Sequence, residues 1–148
     1  MNASATMIVE AFAALLDAEF AERRGAKAVV AADPGHAVDL LTAGQMGSLA
    51  VVVWYDSDAA DSEDGWDPRV RATLKAVVYR RQGMAAGGQG TGTLELADAL
   101  RKALSGAALD GSLDGIRYQG MTTVATAEGR MLNGYALNFG VVYAHEVG

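Results

Sequence analysis

The run Leu49-Ala-Val-Val-Val-Trp-Tyr55 is the stretch that most narrows the folds open to this chain. Every side chain in it is apolar or aromatic and its middle is β-branched. An extended segment of this kind needs cover on both faces, which predicts a central buried strand. It is far too short to cross a bilayer, which takes roughly 20 residues. Burying such a strand requires a real core. A chain of 148 residues has one, because folding at this length hides about two thirds of the extended chain's surface. One domain, 1–148, is expected.

The strand is followed by an abrupt charge pattern. Asp56, Asp58, Asp61, Glu63, Asp64 and Asp67 follow with no base among them, and Trp66 sits beside Pro68. Arg69, Arg71, Lys75, Arg80 and Arg81 come next with no acid among them. An acidic loop beside a basic strand is expected, either as solvated surface or as a pair of complementary interaction surfaces. The candidate interface residues are Asp56, Asp58, Asp61, Glu63, Asp64 and Trp66 on the loop, with Arg69, Arg71 and Lys75 on the strand. The whole chain carries a net charge of −6, which argues against broad nucleic-acid binding. With no cysteine, disulfide scaffolds, thiol enzymes and Cys-ligated zinc modules are excluded. The start of the chain lacks the basic and apolar regions of a signal peptide, so a soluble, intracellular protein without a membrane partner is expected.

Hydrophobic periodicity orders the remaining elements. Ile8, Phe12, Leu15, Leu16 and Phe20 recur at helical spacing after a cap at Ser4 or Thr6, in a helix reaching Arg23 or Arg24. Ala26–Ala32 reads as a short strand, Asp33-Pro-Gly35 as a turn, and His36–Leu41 as one or two helical turns. Val70, Ala72, Leu74, Ala76 and Val78 alternate with more polar neighbours, as in a strand with one buried face. Gln82–Gly92 reads as a glycine-rich loop. Thr93 then caps a helix with the stripe Leu96, Ala97, Leu100 and Leu104. Ile116–Ala127 and Met131–His145 form two strands joined by a turn at Glu128-Gly-Arg130. In the last strand one parity is bulky (Tyr135, Leu137, Phe139, Val141, Tyr143) and the other is small. The expected class is α+β: a mostly antiparallel sheet of about five strands with two main helices packed on one face.

No catalytic or cofactor motif is complete. Gly87-Gly-Gln-Gly-Thr-Gly-Thr93 has the placing of a phosphate loop but lacks its lysine, and its glycines are not spaced as a dinucleotide fingerprint. Asp56-Ser-Asp58-Ala-Ala-Asp61 begins like a calcium loop but has Ala60 and Asp61 where an oxygen ligand and a glycine are needed. His36 and His145 are the sole histidines, and no serine sits in a nucleophile elbow. No catalytic residue, metal ligand or cofactor is assigned.

The order of these elements resembles the tail terminator (tail completion) proteins of long-tailed bacteriophages and prophages. The matching features are the amphipathic start Ile8–Phe20, the strand Val51–Tyr55 running into an acidic loop, and the alternating strand Val70–Tyr79. The helix Leu94–Leu104 and the closing hairpin Gly115–Ala127/Met131–Tyr143 complete the match, over about residues 5 to 145. Gly83–Gly92 is longer than the corresponding family segment. The resemblance implies a small α+β subunit of a virion that closes into a ring, by analogy a hexamer. That ring caps the tail tube, ends its polymerisation and offers its other face to the head–tail connector. It implies no catalysis, and assembly in the host cytoplasm. A head–tail connector or minor tail protein, and a soluble α+β ligand- or protein-binding module, are the alternatives.

Overall fold

The computed structural model describes residues 2–24, 28–30, 49–61, 67–81, 89–125 and 132–145. The turn at Asp33–Gly35, the helical turns from His36 to Leu41 and the hairpin turn at Glu128–Arg130 lie outside them.

The elements are β1 (Asn2–Ala3), α1 (Ala5–Arg24), β2 (Ala28–Val30), β3 (Leu49–Ala60), β4 (Arg69–Arg81), α2 (Gln89–Leu104), β5 (Arg117–Ala125) and β6 (Leu132–His145). The chain is α+β. β3, β4, β6 and β5 pair antiparallel in that spatial order. Four strands thus make the antiparallel body, where about five were expected. Two stubs extend it by parallel pairing, β2 along Val51–Val53 and β1 along Ala144 and His145. The periodicity of two residues offers no sign of β1, because a two-residue strand has no period.

Ser4 is the cap of α1: its Oγ accepts a hydrogen bond from the Met7 amide at 3.2 Å, satisfying a donor that the first helical turn leaves open. Ile8, Phe12 and Leu16 on α1 and Leu96, Ala97, Leu100 and Leu104 on α2 are buried. They meet one face of the sheet, carried by Val51 and Val53 of β3, Ala72, Leu74, Ala76 and Val78 of β4, and Leu137, Phe139, Val141 and Tyr143 of β6. Both helices therefore cover the same face, and the bulky parity of β6 is the one they cover. At the centre, Phe139 is flanked by Phe12, with ring centroids 5.5 Å apart, and by Tyr118 at 5.7 Å, both tilted. Such tilted pairs suit the ring quadrupoles.

On the other face Val52, Trp54, Val77 and Ala136 are buried outside that cluster. The run Leu49–Tyr55 thus meets its expected need for cover on both sides at Val51–Trp54. On the more polar face of β4, Val77 is buried for the same reason.

Two boundaries move. α2 begins at Gln89, so Gly90, Gly92 and Thr93 are inside the helix and Thr93 is not its cap. Glycine costs about 1 kcal/mol in a helix interior, and packing of the Leu96–Leu104 stripe on the sheet offsets it. At the other end Gly106, with φ of 78°, takes the left-handed conformation that closes a helix. Its amide donates to the Ile116 carbonyl at 2.7 Å and the Ile116 amide returns a bond to Ala107. This clamp brings Gly115 so close that a Cβ there would lie 2.9 Å from the Gly106 carbonyl oxygen.

The second shift matters more. No loop begins at Asp56, because β3 continues to Ala60. A register shift between Tyr55 and Ser57 absorbs one residue, after which Ser57, Asp58, Ala59 and Ala60 pair with Thr73, Ala72, Arg71 and Val70. The expectation of an acidic loop starting at residue 56 is corrected accordingly. Asp56–Ala60 are exposed strand residues.

Candidate functional site

The β3–β4 hairpin gathers most of the charged residues singled out in the sequence. Asp56, Asp61 and Asp67 each lie near a base of the adjacent strand or tip. Lys75 Nζ is 3.9 Å from Asp56 Oδ1, and Arg71 Nε is 3.3 Å from Asp61 Oδ1. Arg69 grips Asp67 through Nε and Nη2, the latter at 2.7 Å. The Arg69 amide also donates to Asp67 Oδ1 at 2.9 Å. This pairing holds the Arg69 guanidinium above its ordinary pKa, the hydrogen bonds to Asp67 contributing most.

Asp56, Asp61 and Asp67 of the acidic block are therefore paired with Lys75, Arg71 and Arg69 of the basic block within one subunit. The register explains it. Antiparallel pairing lays Ser57–Ala60 against Val70–Thr73, so a block of acids and a block of bases adjacent in sequence become neighbours in space. These pairs lie at the surface with one or both partners half-buried, and surface pairs contribute roughly 0–1 kcal/mol each. They are weak enough to exchange for partners on another molecule. Glu63, Asp64 and Trp66 lie outside the described residues.

Asp58 is the exception. It points to the helix side and accepts a hydrogen bond from the Tyr55 hydroxyl at 2.6 Å, and the Tyr55 hydroxyl stands 2.9 Å from that of Tyr143. Tyr143 lies on the bulky parity of β6, so both tyrosines share the covered face, far apart in sequence. Burial first, then the Asp58 and Tyr143 contacts, push the Tyr55 phenol well above its ordinary pKa. That favours the neutral donor and disfavours a tyrosinate base. Since the folded pKa is the higher one, the stabilisation is complete below the unfolded value near pH 10. It is lost as pH rises through the folded value. In an alkaline absorbance titration the folded protein should show at least one tyrosine that stays neutral well past pH 10. Tyr55→Phe should remove that late ionisation. An unchanged titration curve in Tyr55→Phe would show that the shift belongs elsewhere.

The face of the sheet opposite α1 and α2 holds an open groove of about 260 Å³ beside the hairpin. Its floor is Gly140, where an added Cβ would come within 2.5 Å of the Gln119 side chain. Thr73 and Ser57 line one side, Arg71 and Arg117 supply charge, and Gln119 lies across. The small parity of β6 hinted at close approach here, but neither Arg117 nor Gln119 carried any sequence signal. Arg117 is 3.4 Å from Asp114, and both are exposed.

Other chemistry finds less support. Asp56, Asp58 and Ala60 are strand residues, where a calcium loop turns about its ion. Among the described residues no group of three His, Asp or Glu side chains is placed to hold a metal ion. Among them, too, no helix is long and apolar enough to cross a membrane. His145, at the end of β6, is anchored by its amide to the Pro68 carbonyl at 2.9 Å, and His36 lies outside the described residues. The arrangement is suited to binding through charge, exposed strand and groove. No protein-family model matches the chain, and no curated protein matches it in sequence.

Proposed function

We propose that this protein is a structural subunit of a long-tailed phage or prophage particle, a tail terminator that caps the tail tube as a ring of identical copies. The observation that carries the proposal is the presence of two unlike surfaces on one subunit. One is the charged end of the β3–β4 hairpin, with Asp56, Asp58, Asp61, Arg69, Arg71 and Lys75. The other is the β5 side of the groove over Gly140, with Arg117 and Gln119. A closed ring is built from heterologous contacts, which need two different patches per copy. The order of strands and helices supports the same assignment through its resemblance to the tail terminators. The partners are then a second copy of the chain, six to a ring by analogy, the tail tube protein on one ring face and the head–tail connector on the other. The protein takes its place in the neck of the virion and requires no cofactor.

Light scattering after gel filtration, with negative-stain imaging of the same fractions, tests this. Closed rings are expected, either in the free protein at high concentration or on the ends of added tail tubes. A protein that stays monomeric in both settings is not a terminator.

A further inference from the structure

Both ends of the antiparallel sheet are open among the described residues. β5 pairs with β6 on one side and has no strand on the other, since β1 joins β6 only at Ala144 and His145. β3 is covered by β2 only along Val51–Val53. From Trp54 to Ala60 its outer side has no strand partner among the described residues. Exposure agrees: Asp56–Ala60 are exposed, as are Arg117, Gln119, Thr122 and Thr123.

The two edges differ in how they are guarded. Free strand edges are usually blunted by charge or proline. Tyr118–Ala125 contains neither, so the β5 edge carries no such guard in its own sequence along nearly its whole length. The β3 edge carries Asp56 and Asp58, which repel a second copy of the same edge. An unguarded strand that begins with Arg117 does not meet that repulsion.

We propose that the outer edge of β5 in one copy pairs with the outer half of β3 in the next, continuing the sheet from subunit to subunit. The proposal rests on the assembly function above and names its interface. Strand directions permit it. Each neighbour in the order β5-β6-β4-β3 is antiparallel, so β5 of a copy placed in line beside β3 meets it antiparallel as well. The helices of both copies stay on the same side. Charge selects the same pairing. Arg117, Gly140, Thr73 and Ser57 form one row across the sheet. With no stagger the next copy's Arg117 falls beside Ser57, between Asp56 and Asp58. The β2 stub blocks the edge at Val53, which favours a stagger toward Ala60. That slide moves Arg117 along the acids toward Asp61 and never away from them. Edge pairing contributes backbone hydrogen bonds, and the side chains set specificity. Unlike edges on one subunit make the contact head-to-tail, the type that closes into rings.

The chain has no cysteine, so introduced thiols report without background. Ala59→Cys with Gln119→Cys places one thiol on each edge, both exposed and both toward the face opposite α1 and α2. With a short bismaleimide under the conditions that give rings, this double variant should yield a covalent ladder in steps of one subunit. Each single variant should remain unlinked. Arg117→Glu should lower association by about tenfold or more, as like charges brought together at an interface do, while Arg117→Lys should leave it near the wild-type level. Rings that form normally without a ladder would overturn the edge pairing and leave the assembly function standing. Linking of the Gln119→Cys single variant into dimers would replace it with β5–β5 pairing. Absence of both rings and ladder, with the fold intact by circular dichroism, would remove both.

Discussion

Phe139→Ala should destabilise the fold by about 3–5 kcal/mol, the range for removing a large aromatic side chain from a packed core. Phe139 is wholly buried and bridges the layers, touching Phe12 from the helix side and Tyr118 from the neighbouring strand. Its loss leaves a cavity lined by two rigid rings that cannot collapse into it. Against a total stability of roughly 5–15 kcal/mol for a domain of this kind, the variant should be marginal at best. Urea unfolding followed by tryptophan fluorescence would measure it, with Trp54 buried in the same sheet as reporter. A loss below about 0.5 kcal/mol, the size of an ordinary surface substitution, would mean that the helices do not lie on this face.

Reversing the charge of Arg71 and Lys75 together should have the largest effect on assembly and a small one on folding. Arg71→Glu with Lys75→Glu places two acids opposite Asp61 and Asp56, which now pair with bases. Because both pairs still reach solvent, the cost to the fold should stay near 1 kcal/mol per site. The charge on the hairpin and groove, however, changes sign. Ring formation or association with tube ends should be lost while the circular dichroism spectrum is kept. Added salt should weaken the wild-type ring in the same direction, since exposed charges are screened beyond about 8–10 Å at physiological ionic strength. Reversed protein that assembles like the wild type would confine these residues to holding the hairpin together.

Much of the architecture was legible because it follows from side-chain period. The Ile8–Leu16 stripe, the Leu96–Leu104 stripe and the bulky parity of β6 mark the covered surfaces directly, since a helix or strand exposes its residues at a fixed repeat. The errors share one cause. Asp56–Ala60 resemble a loop in composition, yet the partner strand's bases and ladder hydrogen bonds hold them in β3. Gly90 and Gly92 resemble a loop as well, yet packing further along α2 carries the helix through them. Local propensity is a weak prior that tertiary pairing overrides.

The candidate site divides along the same line. The sequence by itself determined that acids and bases would stand in two adjacent blocks, that one face of β6 would be small, and that the core would need cover on both sides of Val51–Trp54. Only the tertiary structure decided what those features mean. Strand register turned the two blocks into ion pairs inside one hairpin. Chain topology placed Tyr143 beside Tyr55, and Arg117 and Gln119 over Gly140. The order of strands left β5 and the outer half of β3 without an outer strand partner among the described residues. Register and strand order are long-range properties, set by which faces must be buried together, and no local stretch of sequence records them.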